Sequence, residues 1–112
     1  MSLSQDLLRG YTDTIILRQL CERDSYGYEI NKQVTRLSGG GFSMKEATLY
    51  TAFRRMEEAG YIASYWGNEG SGARRRYYSV TELGQLKLQE DRLNWEETKG
   101  LIDVLIGGKE HE

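Results

Sequence analysis

The sequence predicts a mostly α-helical fold of the α+β kind: a winged helix-turn-helix continued by a long C-terminal helix suited to dimerisation. Three observations predict it. Short segments of helical periodicity fill the first 60 residues, an aromatic-rich hairpin with a glycine-rich tip follows them, and an uninterrupted helical pattern runs from Glu82 to about Ile106. That last helix is too long, and too apolar on one side, to stand alone in a chain of 112 residues.

The elements follow in order. A first helix is expected from about Ser4 to Glu22, with Leu8, Tyr11, Ile15 and Cys21 on overlapping faces, ending at the charged turn Arg23, Asp24, Ser25. Cys21 reads as a packed thiol, because free cysteine behaves as a small buried hydrophobe, and one cysteine permits no internal disulfide. Ser25 is the expected N-cap of a second helix that carries Ile30, Val34 and Leu37 along one face and stops at Ser38, Gly39, Gly40, Gly41. Ser43 is the expected N-cap of the third, with Glu46 completing a capping box. This helix should reach Ala59, with Gly60 just beyond its end, turning Ala47, Tyr50, Phe53, Met56 and Glu57 inward and Lys45, Thr48, Thr51, Arg54 and Arg55 outward. Tyr61–Trp66 and Arg76–Val80 read as strands linked by Gly67–Gly72, and Thr81 caps the final helix. Residues 1–80 therefore form the winged helix-turn-helix and residues 81–112 the dimerisation helix, with the first helix shared between core and interface.

Composition narrows the function. The formal net charge is −2, yet it is unevenly spread: residues 1–44 hold five basic and five acidic side chains, residues 45–80 six and four, and residues 81–112 four and eight. The middle third is the only positive one, and clustering matters more than total charge for a phosphate contact. There is no proline, no repeat, no apolar run long enough to span a membrane and no signal-peptide pattern, so a cytoplasmic protein without membrane contact is expected. An enzyme is not expected, nor any metal or cofactor. The single histidine, His111, lies in the tail, paired acids such as Glu57 and Glu58 point apart on a helix, and Gly39–Gly41 lacks the Lys-Ser/Thr of a phosphate loop.

The third helix and the hairpin have the chemistry of double-stranded DNA recognition. A helix in the major groove presents its N-terminal residues to base edges, which suits Lys45, Glu46 and Thr48, while Tyr50 and Thr51 can reach phosphates or thymine methyls. Arg54 and Arg55 extend the basic surface. The wing adds Arg74, Arg75 and Arg76, with Tyr77 beside them, as a single basic cluster for backbone oxygens or a narrow minor groove.

The motif order resembles the PadR family of transcriptional regulators. Gly27, Tyr28, Glu29, Ile30 match its second-helix element; Thr48, Leu49, Tyr50 match the third; Glu57, Gly60, Ile62 match the entry to the wing; Arg75, Arg76, Tyr77, Tyr78, Thr81, Gly84 match the exit. Thr51 stands where most members have proline. The resemblance implies a homodimer that binds promoter DNA, with the final helix packed against the partner's first helix through Leu8, Tyr11 and Ile15.

The last helix supports a partner on its own account. Leu88, Trp95 and Ile102 repeat every seven residues, and Thr98 and Leu105 occupy the intervening heptad positions, a seam suited to another helix. Read from the residues alone, Trp95 is a packed aromatic of that seam. The run Ser64, Tyr65, Trp66, Gly67 and the short C-terminus resemble a multidrug-binding branch of the family, which implies that Trp95 stacks planar aromatic drugs at the dimer centre. The same resemblance implies a pore lined by Leu7, Gly10, Thr14, Leu17 and Arg18 from the first helix and Arg92, Thr98, Lys99 and Ile102 from the last. Arg92 and Lys99 depart from that branch in charge, which bears on cationic drugs. The implied role is repression of efflux or detoxification genes. A repressor answering to phenolic acids or to no small molecule, and a winged-helix protein-interaction module, remain as alternatives.

Overall fold

The computed structural model describes residues 8–68 and 74–107. It contains α1 (Thr12–Glu22), α2 (Gly27–Leu37), α3 (Glu46–Glu58), the hairpin strands β1 (Ile62–Asn68) and β2 (Arg74–Val80), and α4 (Glu82–Ile106). The expected winged helix with a long final helix is present. The hairpin tip, Leu7 and His111 lie outside the described residues.

The N-terminal helix differs from expectation. Leu8 and Arg9 are helical, but the chain turns at Gly10 and Tyr11 before α1 begins. The Tyr11 amide donates to the Leu8 carbonyl at 2.8 Å, and its φ of −113° is non-helical. Glycine at position 10 weakens the helix where the break falls. Cys21 is exposed rather than packed, because the buried stripe of α1 runs through Ile16, Leu17 and Leu20 and position 21 falls beside it.

The core joins that stripe to Ile30 and Val34 of α2, to Leu49, Ala52, Phe53 and Met56 of α3, and to Ile62, Tyr78 and Leu88. On α3 the buried residues therefore follow i, i+3, i+4, i+7 from Leu49, and Ala47 and Tyr50, expected inward, are exposed. Leu37 closes α2 and is likewise exposed.

Neither expected serine cap forms. Lys45 occupies the N-cap of α3 without a side-chain bond, and Ser43 is exposed. Asn31 of α2 positions the entry instead: its Nδ2 donates to the Met44 carbonyl at 2.9 Å and its Oδ1 accepts from the Met44 amide at 2.8 Å. Phe42 and Met44, both buried, anchor the same segment. Tyr26, not Ser25, is the N-cap of α2. Ser25 pairs its backbone with Tyr78, at 3.1 and 2.7 Å, and its hydroxyl donates to Glu29. The serine thus ties the start of α2 to the wing.

Gly60 ends α3 as expected, with φ of +86°, a region that disfavours side chains. Its amide donates to the Glu57 carbonyl and that of Tyr61 to Met56, closing a Schellman turn into β1. The hairpin is antiparallel, in register from Ile62 opposite Val80 to Asn68 opposite Arg74. Each strand runs two residues further toward the tip than expected, so Gly67 belongs to β1. Thr81 caps α4 as expected: its hydroxyl accepts from the Gly84 amide at 3.0 Å and donates to the Gly60 carbonyl at 2.6 Å. Leu88 is the last buried residue of α4, and the helix then projects from a molecule 62 Å long. Asp91 fastens its base, accepting from Thr14 of α1 at 2.8 Å and pairing with Lys87 at 3.1 Å.

Candidate nucleic-acid interface and apolar seam

Burial of Leu49, Ala52, Phe53 and Met56 leaves Lys45, Glu46, Thr48, Tyr50, Thr51, Arg54 and Arg55 on the opposite surface of α3. Lys45 and Arg54 are exposed and make no ion pair among the described residues. Arg55 is already engaged, because its Nε and Nη2 donate to the two carboxylate oxygens of Asp13 on α1. That hydrogen bond raises the guanidinium's pKa further. Thr48, Thr51 and Arg55 line an open hollow with Arg9 and Thr12, a group of hydroxyl and cationic donors along one side of α3. Tyr50, about half exposed, sets its ring edge-on to Phe53 at 5.8 Å.

The wing arginines do not form the single cluster expected from their adjacency. Alternation along β2 puts Arg74 and Arg76 on one face and Arg75 on the other. Arg74 and Arg76 lie over the Trp66 ring at 5.0 and 5.6 Å. Arg76 also donates to the Ser64 hydroxyl at 2.8 Å, which in turn donates to Glu57 at 2.7 Å, so this face is tied to the end of α3. Arg75 lies over the Tyr26 ring at 4.7 Å. Tyr77, half buried on the Arg75 face, is stacked with Tyr65 and edge-on to Tyr26. The Tyr65 hydroxyl donates to Asp24 at 2.6 Å, which raises its pKa.

The second surface is apolar. Leu93, Leu101, Val104, Leu105 and Ile106 of α4 are exposed and form an uncovered apolar surface. Trp95 is 42 % exposed, its ring edge-on to Tyr11 at 5.4 Å and Lys99 Nζ 5.9 Å from its centre. Leu8, Tyr11, Thr14, Ile15, Arg92 and Trp95 line a shallow hollow there. Of the other residues singled out from sequence, Gly10, Thr98 and Ile102 are exposed, Thr14 is bonded to Asp91, and Arg18 pairs with Glu22 at 2.6 Å. Leu17 is a correction: it is 0 % exposed within the core of one chain and cannot line an outside pore. It falls on the same stripe as Ile16 and Leu20, a phase that the early turn at Gly10 obscures.

Sequence reasoning missed Asp13, Tyr26 and Asn31, whose partners lie on other elements. Only the Tyr65 and Tyr77 pairing had a local signal, since the two rings fall opposite each other across the hairpin. Among the described residues there is no metal-ligating cluster, and no helix is long and apolar enough to cross a membrane.

Residues 16–90 match the model of the transcriptional regulator PadR-like family. The chain belongs to the PadR family. An uncharacterized protein of Lysinibacillus sphaericus is 42 % identical over 105 residues, covering 94 % of this chain and 96 % of its own. A transcriptional regulator from Clostridium thermocellum is 45 % identical, with a TM-score of 0.84 over 91 % of this chain and 99 % of that one. A PadR family transcription regulator from Clostridium difficile is 39 % identical, with a TM-score of 0.75 over 86 % and 98 %. PadR proteins are DNA-binding transcriptional regulators and not enzymes.

Proposed function

We propose that this PadR protein is a cytoplasmic homodimeric repressor that binds promoter DNA and is released or modulated by a planar aromatic compound held between the two copies of Trp95. Residues 1–80 serve as the DNA-binding domain and residues 81–112 as the dimerisation helix. The regulated genes are those of drug efflux or detoxification. The observation that carries the reading is the half-exposed Trp95 beside Tyr11, on an apolar hollow that continues into the uncovered apolar stripe of α4. A second copy packed there would remove that stripe from water and bring two indole rings toward one axis. Arg92 lines the hollow beside Trp95, while Lys99 is paired with Glu96 at 3.3 Å, so the positive charge of the site rests on Arg92 and favours neutral or anionic planar ligands such as phenolic acids over cationic drugs.

The pore and the reading helices share α1 and α4 as a frame, through Thr14–Asp91 on one side and Arg55–Asp13 on the other. A ligand that shifts α1 against α4 therefore changes the spacing of the two α3 helices. The test is a fluorescence titration of the Trp66→Phe protein, in which Trp95 alone reports, with a planar aromatic dye and a phenolic acid. Saturable quenching with a matching change in DNA affinity supports the reading. No quenching by either, in a protein that still binds DNA, returns Trp95 to a packing role.

A further inference from the structure

Gly67 sits in β1 two residues after Tyr65, and the Tyr77 ring crosses directly over it from β2. A Cβ at position 67 would overlap the Cε1 and Cδ1 atoms of that ring. The ring has no easy way to yield. Tyr65 stacks on it at 5.7 Å with 14° between planes, and Tyr26 meets it edge-on at 5.3 Å. Each ring of this column comes from a different element: Tyr65 from β1, Tyr77 from β2 and Tyr26 from the N-cap of α2. Two hydrogen-bonded points fix its ends to the helical body. The Tyr65 hydroxyl donates to Asp24 between α1 and α2, and the neighbouring Ser25 backbone pairs with Tyr78.

Arg75 closes the column with its guanidinium over Tyr26. A guanidinium held by its face keeps its N–H donors in the ring-parallel plane, available to an acceptor. Arg75 makes no hydrogen bond or ion pair among the described residues, whereas Arg76 is committed to Ser64 and Glu57. We propose that the column Tyr65, Tyr77, Tyr26, permitted by the missing side chain at Gly67, sets the angle of the wing and aims Arg75 at a DNA phosphate. Gly67 and Tyr26 are on this account positioning residues for DNA binding, acting through Arg75. The proposal rests on the reading of the wing as a DNA contact.

The experiment measures binding of the full chain to a fluorescein-labelled random-sequence duplex across a range of salt, where phosphate contacts dominate. Arg75→Ala should weaken binding on the order of tenfold and flatten the salt dependence by about one unit of log–log slope per wing. Gly67→Ala and Tyr26→Leu should each reproduce most of both changes, Tyr26→Phe should bind as the parent does, and Gly67→Ala with Arg75→Ala together should be no weaker than Arg75→Ala alone. Tyr26→Leu and Tyr26→Phe decide the matter if Gly67→Ala does not fold, as judged by circular dichroism. Weakening by Arg75→Ala with unchanged binding by Gly67→Ala and Tyr26→Leu, or effects that simply add, would overturn the positioning role and leave the wing contact intact. Unchanged binding and salt slope in Arg75→Ala would overturn the wing contact, and the proposal with it.

Discussion

Arg55 and Asp13 form a two-point ion pair between α3 and α1, Nε donating to one carboxylate oxygen at 3.1 Å and Nη2 to the other. Both side chains remain partly exposed, so the pair is worth only about 0.5–1 kcal/mol despite its geometry. Arg55→Ala and Asp13→Ala should each lower the urea-unfolding free energy by about that amount, and the double variant by less than the sum. On DNA, Arg55→Ala should weaken binding less than Arg54→Ala, because Arg54 has no such commitment. Parallel unfolding and binding curves for the parent and the four variants check both statements.

Asn31 should matter more than any surface charge. It makes two hydrogen bonds to the Met44 backbone, each with a net value of about 0.5–1.5 kcal/mol, and no serine cap replaces them. Asn31→Ala should cost about 2 kcal/mol in chemical denaturation. It should also weaken DNA binding, since the start of α3 loses its fixed entry.

Gly84 lies where α4 crosses the hairpin. A methyl group there would overlap the Tyr61 carbonyl oxygen and come within 2.8 Å of Val80 Cγ2. Backbone cannot move aside as a side-chain end can, so Gly84→Ala should destabilise by about 3 kcal/mol, the upper part of the overpacking range. A thermal melt compared with Gly100→Ala, which meets nothing within 4 Å, isolates the steric cause from helix propensity.

Much of this was legible in the sequence because it is local. The Thr81 cap, the Gly60 turn and the helical span Glu82–Ile106 each depend on neighbours a few residues apart. The capping box at Ser43 failed for the opposite reason: Asn31, thirteen residues before Met44, satisfies the backbone first. Ala47 and Tyr50 suit either face of α3, and only packing against α1 and α2 selects the Leu49 stripe. Adjacency in sequence also suggests one arginine cluster, where strand alternation separates Arg75 from Arg74 and Arg76. The candidate DNA contacts on α3 were readable as a surface. Their division into an engaged Arg55 and an open Lys45 and Arg54 required Asp13, which comes from α1.

Alkaline pH should destabilise the fold. Burial raises the Tyr78 hydroxyl above its ordinary value of 10.0, and hydrogen bonding to Asp91 raises Lys87 above 10.5. In both the folded state holds the proton more tightly, so the stability they contribute is complete below the unfolded values and is lost as pH rises through the folded ones. Unfolding free energies should be level to about pH 9 and fall by about pH 11. Tyr78→Phe should reduce that fall while keeping the stacked contact with Phe53.

The most direct test of the central claim is selection of bound duplexes from random DNA by the full chain, followed by the stoichiometry of the winning complex. Two α3 helices related by a two-fold axis read half-sites about 34 Å, or one DNA turn, apart or a multiple of it. An enriched inverted repeat with that spacing, bound by two chains, is expected, with loss of the enrichment in Thr48→Ala with Thr51→Ala. Binding without any enriched sequence, or one chain on a single half-site with undiminished affinity, would contradict it.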